Sequence, residues 1–165
     1  MTAPTESAAT DGNSGVLDGT NEDFVTVMIA DQWFGIPVRM IHDVFAPQSI
    51  TQVPLSRPEV AGVLNLRGRI VTAIDMRCKL DLTPRSREAE CMAVGIEKNG
   101  ESYGLIVDQV GEVLSLEHRS FEPNPANLDP RWRGVSRGVF RLDGSLLVVF
   151  DVDKVLEFPD LIQAA

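Results

Sequence analysis

Apolar residues along this chain fall in short runs broken by turn formers, and no stretch carries the sustained 3.6-residue period of a long helix. Residues 24–29 read as a strand, Asp31-Gln32 as a turn, and residues 33–38 as a second strand, with Pro37 suited to a sheet edge. Residues 40–45 and 50–53 read as a third and a fourth strand, and Pro54 and Pro58 bracket the loop that follows. Residues 62–80 (GVLNLRGRIVTAIDMRCKL) then give a strand, a tight turn at Arg67-Gly68, a β-branched strand over 70–74, and one or two helical turns capped by Asp75. Residues 92–96, the hairpin signal Lys98-Asn99-Gly100, and residues 103–107 and 110–116 continue the pattern. A proline-rich loop over 123–130 precedes two more strands and a last short helix over 151–156, capped by Asp151. Many short, closely spaced strands with little helix predict a mainly β fold of small barrels or a sandwich.

The pattern occurs twice. Residues 138–156 (GVFRLDGSLLVVFDVDKVL) match 62–80 at an offset of 76, with Gly62/Gly138, Leu66/Leu142, Gly68/Gly144 and Asp75/Asp151 identical. Upstream, Phe34-Gly-Ile-Pro-Val matches Tyr103-Gly-Leu-Ile-Val at an offset of 69, and the longer second-half loop around residues 123–130 accounts for the difference. Two offsets in the same order indicate a tandem duplication. Each half, about 60–70 residues, would bury little surface alone, so the halves are expected to pack together.

Charge narrows the function. The 165 residues carry a net charge of −9, which opposes general nucleic-acid binding. Residues 1–23 hold five acidic and no basic residues and few apolar ones, so residues 1–22 read as a disordered acidic tail. Residues 57–87 hold seven basic residues against Glu59, Asp75 and Asp81, a basic face better suited to an acidic protein partner. Cys78 and Cys91 lack any CxxC spacing and read as two reduced thiols. With no secretory signal and no apolar run of membrane-spanning length, a soluble cytoplasmic protein without membrane insertion is expected.

Candidate chemistry is sparse. His42 and His118 stand outside any metal-ligand or catalytic spacing, Ser136 and Ser145 have no arguable triad, and no phosphate-binding glycine motif is present. No catalytic residue, cofactor or metal is therefore expected. Asp75 and Asp151 read as helix caps. Asp43 and its counterpart Glu112 are either solvated or partner contacts. Arg67, at a turn tip between apolar strands, is either a solvated turn residue or an interface anchor.

The motifs Gly62-Val-Leu-Asn-Leu-Arg-Gly-Arg-Ile-Val, Ile74-Asp-Met-Arg77, Tyr103-Gly-Leu-Ile-Val-Asp108 and Leu147-Val-Val-Phe-Asp151 resemble the CheW-like coupling proteins of bacterial chemotaxis over residues 22–158. The resemblance implies two tandem SH3-like five-stranded β-barrels with short helices, forming one domain over 23–160. Its halves lie at about 23–85 and 88–158 and are able to trade strands. It implies a non-catalytic adaptor, recruited to membrane-associated receptor arrays. The adaptor would couple the cytoplasmic tip of methyl-accepting chemoreceptors to the regulatory domain of the histidine kinase CheA, which has the same double-barrel fold. Receptor coupling carries over to Arg67, with Asn65 and Gly68 beside it; strand positions after the aromatic-glycine motif point to Ile41 and Asp43 as partner contacts. The family often has Glu where Asp43 stands, so a contact made here reaches less far; Pro37 and the acidic tail are departures from the pattern. A small-barrel nucleic-acid binder and a detached kinase regulatory domain are the competing readings. The net charge counts against the first, and the absence of a kinase ATP-binding motif and an ordinary Met1 start count against the second.

Overall fold

The computed structural model describes residues 20–86 and 89–157; the expected tail therefore lies outside the described residues, apart from its last positions. The described residues form ten strands: β1 Asn21–Ile29, β2 Gln32–Pro37, β3 Ile41–Phe45, β4 Val60–Leu66, β5 Arg69–Asp75, β6 Met92–Lys98, β7 Glu101–Val107, β8 Gln109–Glu117, β9 Ser136–Leu142 and β10 Ser145–Phe150. Three one-turn helices follow strands or loops: α1 Met76–Lys79, α2 Pro130–Arg133 and α3 Val152–Val155. β1 starts earlier than composition indicates. Asn21 and Glu22 pair with Glu117 and Leu116 of β8, so the tail's last two residues belong to the sheet.

The strands make two five-stranded sheets, ordered β9-β10-β2-β1-β8 and β3-β6-β7-β5-β4. Each sheet takes its central hairpin from one repeat and its other three strands from the other. The β1–β2 hairpin sits among second-half strands, and β6–β7 among first-half strands. The sheets therefore do not coincide with the contiguous halves 23–85 and 88–158. In each sheet one of the two joins between halves is parallel, Val148 against Phe34 and Ala73 against Gly104, while the remaining pairings are antiparallel.

Burial explains why the central strands read as continuous apolar runs. In β10, Leu147 and Val149 face a small core with Phe24 and Phe140, enclosed by the first sheet. Val148 and Phe150 face the other way, into a large core that both sheets share. In β5, Val71 and Ala73 face the second sheet's own core with Leu64 and Ile106, while Ile74 joins the shared one. Strands buried on both faces lose the polar alternation that marks a half-exposed strand. The proline-rich loop adds to this core. Asp129 caps α2, and Trp132 packs edge-on against Phe34, ring centroids 5.3 Å apart, with Leu128 and Val135 beside it.

Two strand expectations change. β2 is the middle strand of its sheet, not an edge. Pro37 is tolerated because it ends the strand, two residues beyond the last parallel pairing at Gly35. Residues 50–53 form no strand. Only Thr51 pairs, with Val63, in an isolated bridge on the outer edge of β4. Gly62 makes that approach possible: its φ is +147° and a side chain there would overlap the Thr51 carbonyl. Gly138, with φ +159°, does the same beneath the Glu122–Val139 bridge in the other sheet.

Candidate functional site

The β4–β5 hairpin turns at Arg67-Gly68, both left-handed with φ of +53° and +85°, as a two-residue turn matched to the strand twist requires. Arginine carries strain there that glycine does not. Asn65 Oδ1 accepts a hydrogen bond from the Gly68 amide at 2.9 Å and fixes the turn. A side chain added at Gly68 would meet nothing within 4 Å. The tip is open to solvent, and the Arg67 side chain is 76% exposed.

Arg67 is nonetheless engaged. Its guanidinium Nη1 donates to Asp43 Oδ2 at 3.2 Å. β3 and β4 are the two edges of the second sheet, so this pair joins edge to edge and closes one end of the barrel. The Asp43 carboxylate lies over Gly95 of β6, where any side chain would collide with it. Around this end, Arg69 donates to the Ser102 hydroxyl, and His42 Nε2 stands 2.8 Å from Glu97 Oε1. An exposed pair of this kind is worth about 0–1 kcal/mol, so it biases the tip more than it holds the fold.

Four of the five expected partner residues, Arg67, Asn65, Gly68 and Asp43, thus meet at one end of the second sheet. Ile41 does not join them on the surface. It is half-buried and packs against the shared core. The two-residue period of β3 leaves His42 and Val44 exposed and turns Ile41, Asp43 and Phe45 the other way, so alternation alone does not separate Ile41 from Asp43; the apolar side chain packs on the core and the carboxylate reaches Arg67. The exposed apolar side chains near this end are Val44 and Ile70.

Asp75 Oδ1 accepts from the Arg77 amide at 3.0 Å and caps α1; Asp151 caps α3 through the Lys154 amide at 3.3 Å. Sequence reasoning missed a second cluster. Asp108, the single residue between β7 and β8, accepts from Arg77 at 2.7 and 3.0 Å, from Arg85 at 2.8 and 3.1 Å, and from the Ala30 amide at 2.9 Å. Burial pushes its carboxyl up, but the hydrogen bonds from Arg77, Ala30 and Arg85 outweigh this and hold it far below the usual carboxylate range. Asp108 thus ties the β1–β2 turn of the first sheet to α1 of the second. Cys78 and Cys91 are free, and burial together with Asp75 and Glu59 pushes the Cys78 thiol up, away from its reactive form. Among the described residues, no group of His, Cys, Asp and Glu could hold a metal ion, and no helix is long and apolar enough to cross a membrane.

The family model for the CheW-like domain matches residues 23–159. A chemotaxis protein CheW from Thermotoga maritima is 31% identical over 78% of this chain and 83% of its own length. One from Rhizobium meliloti is 22% identical over 84% of this chain and 90% of its own. The solved structure of the scaffolding protein TtCheW from Thermoanaerobacter tengcongensis superposes with a TM-score of 0.75 at 26% identity, covering 84% of this chain and 94% of that one.

Proposed function

The chain belongs to the CheW-like domain family, and on that premise we propose that it is a non-catalytic adaptor of chemotaxis signalling, coupling methyl-accepting chemoreceptors to the histidine kinase CheA. The observation that carries the reading is the family match over residues 23–159, which includes the hairpin that holds Arg67 at an open tip. An adaptor needs exposed, preorganised surface rather than a reactive cleft. Arg67 supplies an exposed guanidinium that Asp43 biases toward one position, and its neighbours Asn65 and Gly68 set the turn that presents it. The receptor tip is the partner assigned to this end, through charge-assisted hydrogen bonds to Arg67. The kinase regulatory domain is assigned to other barrel surfaces. Receptor state then biases the kinase through a coupling free energy between the two contacts, with the adaptor recruited from solution to the receptor array.

Arg67→Glu tests this. Receptor binding is expected to weaken by on the order of 2 kcal/mol or more, about thirtyfold, because a partner group loses its cation and meets a like charge. The fold is expected to lose no more than about 1 kcal/mol, since the Asp43 pair is exposed and the substitution sets a second carboxylate beside Asp43 in solvent. Pull-downs with purified CheA and with receptor-containing membranes, beside a thermal melt, separate these. A variant that melts normally and binds both partners like the parent removes Arg67 from the interface.

A further inference from the structure

The internal repeat places the two barrel mouths in register, and they are not alike. The second sheet's mouth is lined by His42, Arg67, Arg69 and Ser102 above an apolar floor that includes Leu66 and Val71. The repeat offsets map His42 to Gly111, Ser102 to Trp33, Arg67 to Asp143 and Arg69 to Ser145. The floor positions map to Leu142 and Leu147 and stay apolar. These counterparts, Asp143 aside, line a groove at the matching end of the first sheet, together with Thr26, Glu112 and Leu114.

The substitutions all act in one direction. The first mouth has lost both arginines and the imidazole, and no Lys, Arg or His lines it. It has gained an indole. Its carboxylate is also released: Asp43 folds over Gly95 toward Arg67, whereas Thr26 fills the place of Gly95 and donates its hydroxyl to the Glu112 carbonyl at 2.8 Å. Glu112 consequently stays exposed, with Asp143 exposed on the adjacent turn. The free volume is about 320 Å³, against about 50 Å³ in the mouth that Arg67 and Arg69 occupy.

We propose that this open mouth is a docking site for an arginine side chain supplied by a partner protein segment. The alkyl stem lies along Leu114, Leu142 and Leu147, the guanidinium stacks on the Trp33 ring, and its charge meets Glu112. In the second sheet the chain's own Arg67 and Arg69 line the equivalent, narrower space. The inference rests on the repeat and the two mouths, and not on the adaptor reading.

The test uses the full chain, labelled for amide NMR, and two blocked tetrapeptides, Leu-Arg-Gly-Arg and Leu-Gln-Gly-Gln, each at millimolar concentration. The arginine peptide is expected to shift the Gly111 and Glu112 amides and the Trp33 indole N–H, and the glutamine peptide to leave them in place. Glu112→Gln is expected to weaken the effect at least fivefold. Asp143→Arg is expected to abolish it by placing a cation of the chain's own over Glu112; both variants alter exposed side chains, so the fold is retained. Equal shifts from both peptides, shifts centred elsewhere, no shift at all, or unchanged binding by Glu112→Gln would each overturn the proposal.

Discussion

Asp108 and Asp75 are both carboxylates in this chain's motifs, yet they do different work. Asp75 makes a local contact that sequence reveals, because a cap reaches only two residues along the chain. Losing it is expected to cost about 0.5–2 kcal/mol, and Asp151→Ala the same, read as a lower denaturation midpoint with partner binding intact. Asp108 gathers Ala30, Arg77 and Arg85 from distant parts of the chain, so only the fold shows its role. Its depressed pKa sets the sign of a pH effect. The stabilisation is fully present above the ordinary aspartate range and is lost as pH falls through that range toward the lower folded value. Asp108→Asn is expected to destabilise the protein at pH 7 by on the order of 2–3 kcal/mol, since two mostly buried arginines lose their anion. It should also flatten the fall in stability below about pH 5. Urea titrations of both proteins across pH 3–7 measure this; parallel curves would mean that other carboxylates carry the acid limb.

Among the elements, the hairpins and caps were legible and the edges were not. Lys98-Asn99-Gly100 and Arg67-Gly68 specify two-residue turns by backbone chemistry alone, and both strand pairs form around them. Whether Pro37 lies at an edge or in the centre depends on which strand arrives from the other half, which local sequence does not encode, while residues 50–53 make a single bridge, Thr51 to Val63, within their own half. The glycines at 62 and 138 carry a sharper signal than their strand setting suggests. Each sits in a left-handed conformation under a crossing backbone carbonyl. Gly62→Ala is expected to cost about 2 kcal/mol or more, because backbone rather than a flexible side chain must move. Gly95→Ala is a milder case. Its backbone accepts alanine, and the group displaced is the Asp43 carboxylate, so the expected result is a near-normal melt with the Arg67–Asp43 tie broken. A side-chain NMR signal of Arg67 that stays where it is in the parent would count against that account.

For the whole molecule, the repeat announced two barrels but not how the chain is shared between them. The crossing is visible only in the sheet orders, where β1–β2 completes the second-half sheet and β6–β7 the first-half sheet. Its consequence is testable by cutting the connection between α1 and β6. Fragments covering residues 20–86 and 89–157 should each lack a central hairpin, and each would expose its share of a core that both sheets line. The first-half fragment cannot substitute its own hairpin cleanly. In the first half, Thr26 would take the place of Gly95 beneath Asp43, where a Cβ already collides, and Trp33 would replace Ser102 beside Arg69. Single fragments are therefore expected to melt without cooperativity, and their mixture to recover one cooperative transition and a 1:1 complex by light scattering. A cooperative melt from either fragment alone would show that a hairpin can fold back into its own half, and that the exchange is a preference of the intact chain rather than a requirement of its packing.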